Sequence, residues 1–186
     1  MKHIKTLSVL FILSLTILAA CSNDDDPVPV NEEEVITTVT IELTNGTEKV
    51  ILQSRDLDGD GPNAPEIQGG TLKANTTYSG VITLLNETET PAENITDEVA
   101  AEADEHQFFY SAAGIASTFT YTGTNDSNGN PVGINFTVST EGAGTGVYTV
   151  TLRHEPNKSA TGVKEGNITN AGGETDVEIS FPITVE

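Results

Sequence analysis

After Val35 the chain alternates apolar and polar positions with a period of two. Val35, Val39, Ile41 and Leu43 share one parity, and Asn45-Gly46 then supplies a hairpin turn into Val50-Ile51-Leu52. Tyr78, Ile82 and Leu84 line one face of a further segment. His106, Phe108 and Tyr110 do the same, as do Phe119 and Tyr121. Asn128-Gly129 marks a second hairpin turn, leading to Ile134, Phe136 and Val138. Tyr148, Val150, Leu152 and His154 alternate with Thr149, Thr151 and Arg153. The last run is Val177, Ile179, Phe181, Ile183 and Val185, where Pro182 suggests an edge or a bulge. Period-two alternation places one face of each segment in a core. About eight short strands separated by turn signals predict an immunoglobulin-like antiparallel β-sandwich over residues 35–186.

One stretch departs from this period. Thr90-Pro91-Ala92-Glu93 has the form of a capping box with proline at the first helical position. Ala92, Ile95, Val99 and Ala103 follow at spacings of three and four, so the pattern predicts one inserted helix over about 91–105. That helix would feed directly into the strand that starts at His106.

The first twenty residues follow neither rule. Lys2, His3 and Lys5 precede an apolar run from Leu7 to Leu18 and the small pair Ala19-Ala20, the layout of a secretory signal peptide. The run is shorter than the ~20 residues of a membrane span. Leu18-Ala19-Ala20-Cys21 resembles a lipobox, and the resemblance implies lipidation of Cys21, the chain's one cysteine, and attachment to the outer membrane through that anchor. Ser22 and the aspartates Asp24–Asp26 resemble the surface-export signal of Bacteroidota lipoproteins, which implies cell-surface exposure. Residues 21–34 combine acids with Pro27 and Pro29, a composition expected to form a flexible acidic tether.

Composition narrows the function classes. The formal charge is −20, and loss of Lys2 and Lys5 with the signal peptide would take it to −22. Acid spread along the chain argues against nucleic acid and favours cations. With one cysteine no internal disulfide forms, so stability rests on packing and on any bound metal. Gly-x-Ser-x-Gly, phosphate-loop and His-Glu-x-x-His motifs do not occur, and the expectation is a non-enzymatic protein.

Two constellations carry candidate chemistry. Asp56, Asp58 and Asp60 alternate and end at Gly61, the ligand spacing of the first half of an EF-hand-type calcium loop. Ile67 stands where the full motif needs glutamate, and Glu66 lies one place earlier, so the expectation is a structural Ca2+ clip through Asp56, Asp58, Asp60 and Glu66. The alternative is an acidic turn without metal. The second constellation is His106 and His154, whose parities point both inward, with Glu102 one helical turn before His106. Two imidazoles and a carboxylate suit Zn2+ or another borderline metal if the three converge. The alternative is a pair of separately hydrogen-bonded histidines at strand ends. Asp126-Ser127-Asn128-Gly129-Asn130 is a weaker candidate cation loop.

The segments from Asp56 to Pro65, Glu87 to Pro91, Glu105 to Phe109 and Leu152 to Lys158 together resemble a family of small flavobacterial surface lipoproteins. Members often carry the label "type 1 periplasmic binding fold superfamily protein", which implies a doubly wound α/β domain, whereas the period-two pattern predicts a sandwich. The leading functional expectation is a surface-displayed binding module, an accessory to a TonB-dependent transporter that takes up a metal or small ligand. The alternative is a calcium-stiffened structural or adhesive envelope domain without cargo.

Overall fold

The computed structural model describes residues 34–59 and 61–186. The stretch expected to be a signal peptide, Cys21, the expected tether up to residue 33, and Asp60 lie outside the described residues. The remainder is mainly β, as the alternation predicts, and contains ten strands rather than eight. Six form one sheet and four the other.

β1 (Thr38–Asn45) and β2 (Glu48–Arg55) make the hairpin predicted at Asn45-Gly46, and Gly46 takes a positive φ of 59° in the two-residue turn. Only glycine and a few polar residues adopt that conformation at low cost. β3 (Glu66–Gln68) and β4 (Gly70–Leu72) are the two additional strands, three residues each. They lie in a stretch with little alternation, and β3 joins the first sheet while β4 joins the second. β5 (Thr77–Leu85) pairs with β1. β8 (Asn135–Thr140) pairs with β5, and β7 (Ser117–Thr122) closes the first sheet, giving the order β3-β2-β1-β5-β8-β7. Asn128-Gly129 sits in the loop that joins β7 to β8, beyond an isolated bridge between Asn125 and Pro131. The second sheet has the order β4-β10-β9-β6, built from β6 (His106–Ala113), β9 (Gly144–His154) and β10 (Glu174–Val185). All pairings are antiparallel except β4 with β10. Pro182 lies one residue before β4 begins to pair with β10, so its missing N–H removes no ladder bond on that side.

The inward parities predicted from sequence form the core between the sheets. Tyr78, Ile82, Leu84, Phe108, Phe136, Val138, Leu152 and Phe181 are fully or almost fully buried. Val35 is the exception, 53% exposed and ahead of the first paired residue, so its parity carries no burial. The doubly wound α/β arrangement implied by the family label is not the fold of this chain.

The helix differs from expectation at both ends. α1 spans Ile95–Ala101, with Asn94 as its N-cap accepting from the Thr96 N–H. Glu93 exchanges both backbone hydrogen bonds with Asn86, a strand-type bridge that holds it out of a helix, so Thr90–Glu93 does not act as a capping box. Thr96 Oγ1 accepts from the Leu84 N–H at 2.7 Å, beyond the end of β8, where β5 would otherwise leave that group unpaired. Ile95 and Val99 are buried in the core, so the predicted apolar stripe is correct over its central turns. The C-cap is Glu102, and the chain turns from there directly into β6.

Candidate metal centre

β6 begins at His106 and β9 ends at His154, and these two residues are direct cross-strand partners. Their shared parity turns both rings to the inner face at one end of the second sheet. The ring centroids are 4.6 Å apart. This is the convergence that a shared site needs, and the alternative of two separate strand-end histidines does not describe the fold.

Two local devices bring carboxylates to the pair. The first is a β-bulge in β10: Thr175 pairs with Arg153 and Val177 with Leu152, which leaves Asp176 as the extra residue. In an unbroken strand Asp176 would share the outward parity of Glu178 and Ser180. The bulge turns it in, as bulges next to functional positions commonly re-aim a side chain. Asp176 Oδ2 lies 3.8 Å from His106 Nε2, and its Oδ1 lies 3.8 Å from His154 Nδ1. Gly173, at φ 69°, leads into this bulge. A Cβ there would sit 2.2 Å from the His154 carbonyl oxygen, so the close passage needs glycine.

The second device is the chain just ahead of β1. It places Glu34 Oε1 3.7 Å from His106 Nε2. Glu34 and Asp176 have side chains only 12% exposed, His154 14% and His106 0%. Glu102 Oε2 stands 3.9 Å from His106 Nδ1, and Glu105 Oε2 stands 3.7 Å from His154 Nε2. Both of these carboxylates are more than half exposed and form the outer rim.

These separations exceed hydrogen-bond distance. They are about half an ångström longer than the ~3.3 Å that separates ligand atoms around a tetrahedral zinc. One ligand atom from each of His106, His154 and Asp176 falls within 4.8 Å of the others, and so does one from each of Glu34, Glu102 and His106. His106 belongs to both groups. Its Nδ1 is 3.3 Å from the Glu102 carbonyl oxygen, and donation there fixes the tautomer that leaves Nε2 with a free lone pair. A backbone carbonyl orienting a histidine in this way is the usual support of a metal-ligating imidazole.

The electrostatics point the same way. His106 Nε2, Glu34 Oε2 and Asp176 Oδ2 are all buried without a hydrogen-bond partner among the described residues. Each such atom costs about 1–3 kcal/mol. Burial pushes the Glu34 carboxyl up to about 7, helped by the neighbouring Asp176, Glu98 and Glu102 charges. Burial also raises Asp176, against the opposing pull of His106 and His154, and lowers His106. Every shift disfavours the charged form. A divalent cation at the centre reverses that preference by pairing with the carboxylates and taking the imidazole lone pairs. Donors of two nitrogens and two or three oxygens suit zinc and its first-row neighbours.

The corner is held rigidly from outside. Lys158, 5% exposed, donates from Nζ to the Ala103 carbonyl just past α1 and lies 3.5 Å from Asp126 Oδ2. Asp104 accepts from the Ser127 N–H and hydroxyl at 2.8 Å each. These contacts fix the end of the helix that carries Glu102. The Asp126 carboxylate is already engaged by the Asn128 and Asn130 N–H groups and by the Asn130 side chain, so that loop closes as a turn on its own groups.

Sequence parity found His106 and His154, and helical spacing found Glu102. It missed Asp176, because a single inserted residue leaves no periodic trace, and Glu34, because the acid run Glu32–Glu34 has the composition of a linker. The other predicted set is arranged differently. Asp56, Asp58 and Glu66 line one shallow surface depression together with Arg55, and Glu66 is the cross-strand neighbour of that guanidinium. Asp58 Oδ2 accepts from the Asn63 side chain at 2.6 Å, and this bond holds its carboxyl below the ordinary range. Asp56 Oδ1 is buried without a partner among the described residues.

No family model matches the chain, and neither the curated proteins nor the solved structures contain a significant match.

Proposed function

We propose that the protein is an exported, lipid-anchored module that binds a borderline divalent metal of the zinc class at the His106 corner. The observation that carries the reading is the buried His106 Nε2. It is oriented by the Glu102 carbonyl and faces two carboxylates and a second imidazole, with no hydrogen-bond partner among the described residues. His106, His154 and Asp176 are the inner ligands in this reading. Glu102, proposed from spacing, acts through its backbone carbonyl and as a rim carboxylate beside Glu105. The rim is more than half exposed, so an ion has an approach from solvent.

Anchoring through Cys21 and display on the outer membrane belong to the same proposal and rest on the lipobox-like stretch and the acidic residues after it. A module of this kind would collect metal for a TonB-dependent transporter in the same membrane. Titration of zinc into the full-length protein followed by calorimetry tests the binding step. One equivalent should bind, and His106→Ala with His154→Ala should abolish the heat while the far-ultraviolet spectrum stays that of the unmutated sandwich. A chain that binds no zinc, or a double variant that binds it equally well, would refute the reading.

A second reading, stiffening by calcium at Asp56, Asp58, Asp60 and Glu66, is favoured by one observation, the Asp56 Oδ1 that is unpartnered among the described residues. Melting in millimolar calcium against chelator tests it, since a bound ion raises the midpoint and Asp56→Ala removes the rise.

A further inference from the structure

Glu34 occupies a position unlike that of the other residues at the corner. His106, His154 and Asp176 belong to strands of one sheet, whereas Glu34 precedes β1 of the other sheet and lies outside any helix or strand. The first backbone hydrogen bond of the described chain is made by the Thr37 N–H to the Leu85 carbonyl. Nothing among the described backbone hydrogen bonds fastens Glu34 or the exposed Val35. Yet the Glu34 side chain is only 12% exposed, with Oε1 3.7 Å from His106 Nε2 and Oε2 buried and unpartnered among the described residues. The like charges of Asp176, Glu98 and Glu102 disfavour a carboxylate in that position, against a weaker opposing pull from His154.

We infer that Glu34 is the fourth ligand of the metal and that metal binding clasps the start of the domain onto the sandwich. The inference rests on the metal-binding reading above and adds a ligand and a consequence to it. With the ion in place, His106 Nε2, His154 and Asp176 from one sheet and Glu34 from the chain ahead of the other supply four donors, the number that a closed tetrahedral zinc site uses. Without the ion, Glu34 gains hydration by leaving the corner, and the chain is fastened to the fold only from Ile36 and Thr37 onward. The state of the site is thereby transmitted to the segment that joins the sandwich to residues 21–33. A metal-loaded and a metal-free protein differ in where the domain begins, which is a signal that a transporter or any partner reading the N-terminal segment can use.

Zinc alone is the probe, and the full-length protein is the sample. Hydrogen exchange followed by mass spectrometry should show the Val35 and Ile36 amides slowed at least tenfold by saturating zinc, with β8 unchanged as an internal reference. Glu34→Gln keeps the side chain's size and should bind zinc at least tenfold more weakly, with the zinc-dependent slowing lost. Zinc binding that depends on His106 and His154 but leaves exchange at Val35 and Ile36 unaltered overturns the clasp and leaves the metal reading standing. So does Glu34→Gln binding zinc as tightly as the unmutated chain. Failure of zinc to bind at all removes both together. The exchange comparison on the unmutated protein needs no variant, so it decides the matter even if the substitution disturbs folding.

Discussion

Replacing Asp176 by alanine should have opposite effects on stability with and without zinc. In the metal-free protein Asp176 is a largely buried carboxylate whose Oδ2 is buried without a partner among the described residues, and burial disfavours its charge. Truncation removes an unsatisfied acceptor whose burial costs about 1–3 kcal/mol, against the loss of a few side-chain contacts. The variant should therefore be as stable as the unmutated protein or up to about 2 kcal/mol more stable in chelator. In zinc the order reverses. An ion that binds only the folded state adds RT ln(1 + [L]/Kd), about 2.7 kcal/mol at a hundredfold excess over Kd. A domain of this size shifts by roughly 2–4 °C per kcal/mol, so zinc should raise the midpoint of the unmutated protein by about 5–11 °C. With one inner ligand gone, Asp176→Ala should retain little of that rise. Differential scanning calorimetry of both proteins in chelator and in zinc gives the four midpoints. Equal destabilisation by the substitution in both conditions would refute the reasoning, because Asp176 would then be stabilising the fold through contacts alone.

The acid limb of stability should depend on Glu87, which accepts from Arg55 Nε and Nη2 and from the Thr38 hydroxyl; these bonds hold its carboxyl at about 2 against an ordinary 4.5. A depressed carboxylate contributes stability that is present above about pH 4.5 and lost as pH falls toward 2, so Glu87→Gln should flatten that window by less than about 1 kcal/mol, the pair being partly solvated; denaturant midpoints at pH 6 and pH 3 that move in parallel for both proteins would count against it. Lys158→Ala should cost about 3 kcal/mol, since it strands the buried Asp126 charge and frees the Ala103 carbonyl. Urea melts measure it, and a loss under 1 kcal/mol would mean that water replaces the ammonium. Cys21→Ser should move the protein from the membrane to the soluble fraction, and a variant that still sediments after a salt wash would rule out the lipid anchor.

Period-two alternation determined the sandwich because burial in a sheet is decided one residue at a time, by which face each side chain takes. The same rule turned His106 and His154 inward without any knowledge of their partners. Spacing of three and four likewise placed Ile95 and Val99 on the core face of α1. What lay beyond the sequence was decided by contacts distant along the chain. The start of α1 moved from Pro91 to Ile95 because Glu93 pairs with Asn86, a bond that depends on where β5 ends. That His106 and His154 are cross-strand partners depends on β6 and β9 being neighbours, although residues 114–143, which include β7 and β8, separate the two strands along the chain.

 Parity along either strand carries no trace of that adjacency. Asp176 is the clearest case. Its even position in β10 assigns it to the outer face, and only the bulge against Arg153 and Leu152 brings it inward. Glu34 has the composition of a linker residue and comes to face His106 only because the chain ahead of β1 reaches the end of the opposite sheet. Local chemistry determined which faces are apolar and which side chains can bind a metal. Their assembly at one corner was decided by strand order and register, which are long-range properties that no window of neighbouring residues encodes.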